Sequence, residues 1–385
     1  MAKVVIVIPT YNERDNTQRM IDALAVEFAK IRNHSLSVLY VDGNSPDGTG
    51  ELVKNNQKKH KWLHLLVETK KEGLGRAYAK GFKYAMEKLG ADFVMEFDGD
   101  FQHRPDQIKD LVAEIDNGYE YVIGSRYIPG GSIPEQWGFK RKFLSVVGNL
   151  VARFGLLMPQ IHDLTTGFKL AKVKGVLDQV DLDHLYSRSF AYKLHILAAI
   201  VSSGAKVKEV PIQFMARTVG DSKLIKNEML ESLKVIFLFQ IHNPKILKFL
   251  KFATVGFVGF LVNFALLRVF RRIGFAEVLA WALSTEAAIA SNFTFNNIWT
   301  FSEKKISGLG KLVVKFFQFN LSSVGALIIQ SIFGPLGVAL VGAQYDYLVL
   351  FVVVVFLVLP YNYFMYNVFI WKTWKLPFLD KFRKK

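Results

Sequence analysis

The chain has 385 residues, 49 lysines and arginines against 33 aspartates and glutamates, a formal charge of +16, and no cysteine. Without cysteine there are no disulfides, thiolate metal sites or cysteine nucleophiles. The basic balance suits nucleic acid, anionic headgroups or a polyanionic substrate. Many of the basic residues flank apolar spans, so membrane contact accounts for them better than nucleic acid does.

Composition splits the chain into residues 1–223, which read as an α/β protein, a basic apolar helix over 224–245, and residues 246–385, dominated by long apolar segments. The run Val4 to Ile8 is too short for a signal peptide and reads as a buried strand, so a cytoplasmic first domain is expected. Glu13 to Phe28 carries Ile21, Leu24, Ala25 and Phe28 on one helical face, and Ser37 to Val41 is a second strand. Further alternation follows through Leu63–Val67, Gly75–Leu89, Phe93–Phe97, Pro105–Asn117 and Tyr121–Ile123. Such alternation predicts a mostly parallel sheet covered on both faces, with ligands beyond the carboxyl ends of its strands. Glu13, Asp42, Asp98 and Asp100 all fall at those ends, in one expected acidic cleft.

Asp98-Gly99-Asp100 directly follows an apolar stretch and is followed by Gln102 and His103. Two carboxylates at i and i+2 on a strand-ending turn can converge on a hard cation, Mg²⁺ or Mn²⁺, that also takes diphosphate oxygens. An Asp-x-Asp alone is also an ordinary surface turn. Six further blocks accompany it: Val7-Ile-Pro-Thr-Tyr-Asn-Glu13, Val41-Asp-Gly-Asn-Ser-Pro-Asp-Gly-Thr49, Gly73-Leu-Gly75, Gly124-Ser-Arg-Tyr127, Asp163-Leu-Thr-Thr-Gly-Phe168, and Val210-Pro211 through Arg217 to Lys223. In order and spacing they resemble the GT-A, Rossmann-like glycosyltransferases of family 2, and within them the polyprenyl-phosphate hexose synthases of the dolichyl-phosphate mannose synthase group.

The resemblance implies metal-dependent, inverting transfer of mannose from GDP-mannose to a dolichyl or other polyprenyl phosphate. It implies that Pro9, Tyr11, Glu13, Val41, Asp42 and Gly99 hold the nucleotide sugar, and that Asp98, Asp100 and Gln102 hold Mg²⁺ or Mn²⁺. Arg217 and Lys223 would neutralise the diphosphate, on a loop containing Gly220. Arg126, Arg141 and Ser145 would receive the acceptor phosphate. Asp42 also reads as a turn residue bonding its own backbone. Phe139 to Met158 forms an amphipathic basic helix that either lies in the membrane interface or packs on the sheet, and the resemblance favours the interface. Three positions depart from the family pattern: Gly43 in place of a second acid, Thr166 in place of Ser, and His195 in place of Glu. His195 is the most serious departure, since an imidazole offers different hydrogen bonds.

The second half predicts a helix over Leu224–His242 stopped by Pro244, then four apolar segments, about Leu247–Phe270, Ala276–Phe301, Leu312–Val341 and Tyr347–Trp371. Asn292-Phe-Thr-Phe-Asn-Asn-Ile-Trp299 mirrors Asn362-Tyr-Phe-Met-Tyr-Asn-Val-Phe369, so two repeated helical hairpins are expected, similar to four-helix GtrA-type proteins. Lysines before the first segment, between the second and third, and after the fourth predict a multi-pass cell-membrane protein with the enzyme domain cytoplasmic; Arg268, Arg271 and Arg272 oppose that count. Glu286, inside the second segment, is either an interhelical hydrogen-bonding group or a transport residue. Two alternatives stay open: a UDP-glucose donor, and a lipid-linked sugar flippase. No nucleic-acid partner and no obligatory protein subunit are expected.

Overall fold

The computed structural model describes residues 1–216 and 228–374. The chain forms two compact units, Met1–Ile241 and His242–Lys385.

The first unit begins β1 (Lys3–Thr10), α1 (Arg14–Phe28), β2 (Ser35–Asp42), α2 (Thr49–Gln57), β3 (Leu63–Val67), α3 (Leu74–Glu87) and β4 (Phe93–Glu96). It continues with α4 (Ile108–Asp116), β5 (Tyr121–Ser125), α5 (Phe139–Gly155), β6 (Lys169–Lys172), α6 (Tyr192–Ser202), β7 (Val207–Pro211) and α7 (Glu228–Ile241). The seven strands make one sheet in the order β3-β2-β1-β4-β6-β5-β7. All neighbours are parallel except β6, which runs antiparallel to both β4 and β5.

The near-continuous apolar runs of β1 and β2 are explained by burial on both faces. Val5 and Val7 point into the core with Leu39, Val41, Tyr78, Phe82 and Tyr192. Val4, Ile6 and Ile8 join Met20, Ile21, Leu24 and Tyr40 in the core on the opposite face. Gly81 lets α3 lie close on the sheet, since a Cβ there would meet Val41 Cγ2 at 2.9 Å. β6 inserts between β4 and β5, and its register sets Lys169 opposite Glu96.

The helix α7 belongs to this unit rather than standing apart as a separate juxtamembrane segment. Ile236 seats against Gly155 of α5, where a Cβ would collide at 2.8 Å, and Gln240 Nε2 donates to the Gly155 carbonyl at 2.6 Å. Both α5 and α7 turn large apolar side chains outward, among them Phe139, Phe143 and Phe154 on α5 and Met229, Leu230 and Phe237 on α7. The sheet-packing alternative for α5 accounts only for the face carrying Asn149 and Ala152.

The second unit contains α8 (Pro244–Arg272), α9 (Glu277–Phe295), α10 (Leu309–Val341), α11 (Asp346–Val353) and α12 (Leu359–Met365). Among the described residues three helical stretches are long and apolar enough to cross a membrane: Pro244–Arg272, Leu309–Val341 and Ala343–Ile370. The helix α9 is less apolar, its run interrupted by Glu277, Glu286 and Asn292. The two repeats end alike, α9 passing into a π-helical turn at Asn296–Thr300 and α12 into one at Tyr366–Ile370. Each is followed by an aromatic residue, Phe301 and Trp371, and these two rings stack on each other at 4.3 Å with 7° between planes.

Candidate active site

The carboxyl ends of β1, β2 and β4 gather the acidic residues. Asp42 ends β2, is 2% exposed, and organises its own turn: Oδ2 accepts from the Ser45 N–H at 2.9 Å and Oδ1 from the Ser45 hydroxyl at 2.6 Å. Thr10 at the end of β1 adds a third bond at 3.3 Å. The turn reading of Asp42 therefore holds in the structure; a ligand would share a carboxylate already aimed by Ser45 and Thr10. Gly43 lies beneath the Tyr11 ring, where a Cβ would come within 3.2 Å of Cδ2, and Lys71 Nζ sits 4.0 Å from the centre of that ring. Glu13 accepts from Asn16 Nδ2 at 2.9 Å.

The Asp98–Gln102 turn continues from β4. Phe101 adopts a positive φ of 60°, which lets the chain double back so that Asp100 Oδ1 accepts from the Gln102 N–H at 3.1 Å. Gln102 also pairs with Met215, the Met215 N–H donating to its carbonyl at 2.9 Å and its Nε2 reaching the Met215 carbonyl at 3.4 Å. That leaves Gln102 Oε1 as the atom suited to a cation. Arg217 and Lys223, assigned to the diphosphate, lie outside the described residues, as does Gly220.

Asp98 receives the Tyr78 hydroxyl at 2.9 Å and Lys193 Nζ at 3.4 Å, with His103 Nε2 3.8 Å away. Burial would raise the Asp98 pKa, but Lys193 and the Tyr78 hydroxyl hold it below the usual carboxylate range. The His103 ring packs among Phe97, Phe168 and Phe214, and burial pushes its pKa down to about 3, so it is neutral at pH 7. Behind the turn, burial raises the Glu96 pKa; its cross-strand neighbour Lys169 is lowered to about 8, also by burial.

Arg126 is held more tightly than its expected role implies. Its Nε and Nη2 bond the two Asp163 oxygens at 2.7 and 2.8 Å, Nη2 also donates to Thr165 Oγ1 at 2.7 Å, and the pair is buried. The Asp163 carboxyl, despite burial, is held low by this guanidinium. One guanidinium edge is thus committed to folding the Asp163–Phe168 loop, leaving Nη1 for an acceptor anion. Thr166 keeps the hydroxyl function of the expected serine, Oγ1 accepting from the Phe168 N–H at 3.3 Å.

Phe214 links the expected acceptor residues to the acidic turn. Its ring contacts His103 at 4.9 Å, lies 5.3 Å from the Arg126 guanidinium carbon, and meets Trp137 at 5.8 Å. Trp137 in turn carries the Arg141 guanidinium at 4.1 Å, and Ser145 hydrogen-bonds the Tyr127 hydroxyl at 2.7 Å. His195 stands aside: it stacks on Tyr186 at 4.1 Å, its Nδ1 accepts from the Tyr186 N–H at 3.2 Å, and burial lowers its pKa. The replacement of Glu by His is accommodated as a loop contact.

Sequence reading missed Tyr78, Lys193 and Asp163 as partners of the site. Asp163 stood inside a quoted motif, but Tyr78 and Lys193 sit on helices with no local mark of where they would reach.

Residues 5–177 match the family "Glycosyl transferase family 2", and residues 251–371 match "GtrA/DPMS, transmembrane domain". A dolichol-phosphate mannosyltransferase of Pyrococcus furiosus is 32% identical over 337 residues, 86% of this chain and 89% of the relative. A polyprenol monophosphomannose synthase of Mycolicibacterium smegmatis is 34% identical over 235 residues, covering 60% of this chain and 84% of its own. An undecaprenyl-phosphate mannosyltransferase of Micrococcus luteus is 34% identical over 224 residues, 58% of this chain and 87% of the relative. The chain belongs to the family 2 glycosyltransferases that carry a GtrA/DPMS domain, as a hexosyltransferase of the dolichyl-phosphate mannosyltransferase type.

Proposed function

We propose that this enzyme transfers mannose from GDP-mannose to dolichyl phosphate or a related polyprenyl phosphate, with inversion, at the cytoplasmic membrane face. The observation that carries this reading is the Asp98–Gln102 turn at the end of β4, joined through His103 and Phe214 to Arg126, Trp137 and Arg141. The carboxylates assigned to the donor and the cations assigned to the acceptor share one end of the sheet, which supports this reading.

The donor set of the turn suits a hard divalent cation: the carboxylates of Asp98 and Asp100 and the amide oxygen of Gln102. When bound there, Mg²⁺ or Mn²⁺ would offset the charge of the departing diphosphate. Tyr78 and Lys193 fix the Asp98 carboxylate, while the Phe101 backbone and the Gln102 N–H fix Asp100. Pro9, Tyr11, Glu13, Val41 and Asp42 border the end of β1 and β2 where the nucleoside would lie, with Asp42 accepting from base or ribose. Arg217 and Lys223 are assigned to the diphosphate on sequence grounds.

The acceptor phosphate is already ionised at neutral pH, so the reaction needs no general base. Its oxygen forms the new bond to the anomeric carbon as the bond from that carbon to the diphosphate breaks, releasing GDP and giving a β-linked product. Arg126 Nη1, Arg141 and Ser145 would orient that phosphate.

For orientation, Lys248 of α8 is ion-paired with Glu303, which brings the lysines that open α8 to the same end of the membrane unit as Lys304 and Lys305. At the other end Arg271 pairs with Glu277. Glu286 accepts from Asn320 Nδ2 at 3.0 Å, an interhelical hydrogen bond between α9 and α10, which favours its structural role over transport.

The test incubates detergent-purified protein and polyprenyl phosphate with GDP-mannose or UDP-glucose, with Mn²⁺ or EDTA, and follows sugar in the lipid phase by mass spectrometry. Metal-dependent mannosyl lipid is the expected product. Glucosyl lipid would replace the donor, and transfer undiminished in EDTA would remove the metal from the mechanism.

A further inference from the structure

Among the described residues, three cations are buried beside the acidic turn. Lys169 faces Glu96 across the β4–β6 pair, and Arg126 is locked to Asp163. Both face carboxylates outside the turn. Lys193 differs, because its partner is Asp98 itself.

Lys193 rises from the first turn of α6 and is 4% exposed, with Nζ 3.4 Å from Asp98 Oδ2. Gly167 covers this pair: a Cβ at that position would stand 2.6 Å from Asp98 Oδ2 and would also collide with Lys193 Nζ. The loop therefore closes over the buried Lys193 end of the pair, while the Asp98 side chain stays 26% exposed. Tyr78 holds the other Asp98 oxygen at 2.9 Å, so the carboxylate reaches any cation with a fixed positive charge at its back.

A divalent cation binding Asp98 and Asp100 would meet the repulsion of that ammonium at short range, where partial burial leaves a weakened but substantial Coulomb term. A diphosphate brought in with the metal adds negative charge and removes the penalty. We propose that Lys193 is a positioning residue, an internal counter-cation of Asp98 that weakens binding of the bare metal and so couples metal binding to arrival of the nucleotide diphosphate. This rests on the assignment of Asp98 and Asp100 as metal-binding residues.

The experiment titrates Mn²⁺ into the full-length protein in detergent and measures free Mn²⁺ by electron paramagnetic resonance, with and without GDP. The wild type is compared with K193M, K193Q, K193R and D100A, each checked for native near-ultraviolet circular dichroism. K193M and K193Q are expected to bind Mn²⁺ about tenfold tighter without GDP, and GDP to improve their affinity less than it improves that of the wild type. K193R keeps the charge and should stay within about threefold of the wild type. A gain of affinity is a result that mere damage to the site would not give. If D100A abolishes binding while K193M and K193Q bind no tighter than wild type, the counter-cation role fails and the metal site stands. If no variant shows an Mn²⁺ site sensitive to D100A, the metal site itself fails and this inference with it. Should one neutral variant not fold, the other decides.

Discussion

The two units solve opposite solvation problems. In the first, β1 and β2 bury nearly every side chain, and charges inside the unit come with partners: Arg126 with Asp163, Lys193 with Asp98, Lys169 opposite Glu96. In the second, long apolar side chains face outward, Phe257 and Phe260 on α8 and Leu321 and Leu327 on α10 among them, while amides such as Asn297 and Asn367 are buried. Water rewards the first arrangement and hydrocarbon the second. The comparison also exposes α5 and α7, which belong to the first unit by packing yet display apolar residues like the second, as a membrane-interface helix does.

The largest effect should come from the turn. D100A is expected to lower sugar transfer by about 10³-fold, through loss of charge stabilisation of the leaving diphosphate, with unchanged folding by circular dichroism. Substantial residual transfer would mean that the carboxylates of the first unit serve the fold alone.

Next, D163N should destabilise the first unit by about 3–5 kcal/mol, because it strands the buried Arg126 guanidinium. The carboxyl of Asp163 is held low in the folded state, so its contribution is present above the unfolded pKa of about 3.9 and is lost as pH falls through the folded value. Urea unfolding between pH 3 and 7 should therefore show a shallower acid loss in D163N than in the wild type.

In the second unit, Asn297 accepts from the Ile306 N–H at 2.8 Å and from Trp371 Nε1 at 3.1 Å, and donates to the Ile306 carbonyl at 3.1 Å. N297A should cost about 2–3 kcal/mol in denaturation from detergent micelles while leaving the stability of the first unit unchanged. An effect on both units would show them to be energetically coupled.

The smallest change is expected from F143S/F154S on α5. Both residues are outward-facing, so stability should move by less than about 0.5 kcal/mol. The KM for polyprenyl phosphate should rise several-fold with that for donor unchanged; equal effects on both substrates would place α5 in the core instead.

Much of the first unit was legible because apolar runs, turn residues and helical periodicity act locally. The helix starting near Glu13 and the strands near Ser37 and Phe93 lie within two residues of the observed α1, β2 and β4. The antiparallel β6 was not, since Lys169–Lys172 is short and its pairing with β4 and β5 is non-local. The hairpin repeat was legible as repeated asparagines and aromatics. Its physical end point, two π-helical turns whose following aromatics stack, required the folded chain.

By itself the sequence determined the division between a sheet-based unit and an apolar helical one, because hydropathy is a property of neighbouring residues, while the class of chemistry came from the resemblance of its motif blocks, in order and spacing, to family 2 glycosyltransferases. Only the tertiary structure decided which cations accompany which carboxylates. Arg126 reads from the sequence as an acceptor-binding residue, and only the structure shows Asp163 holding one edge of its guanidinium; His195 reads as a donor-site change, and only the structure sets it against Tyr186. Lys193 carries no local signal of its proximity to Asp98, 95 residues earlier, because that ion pair exists only once α6 packs against the end of β4.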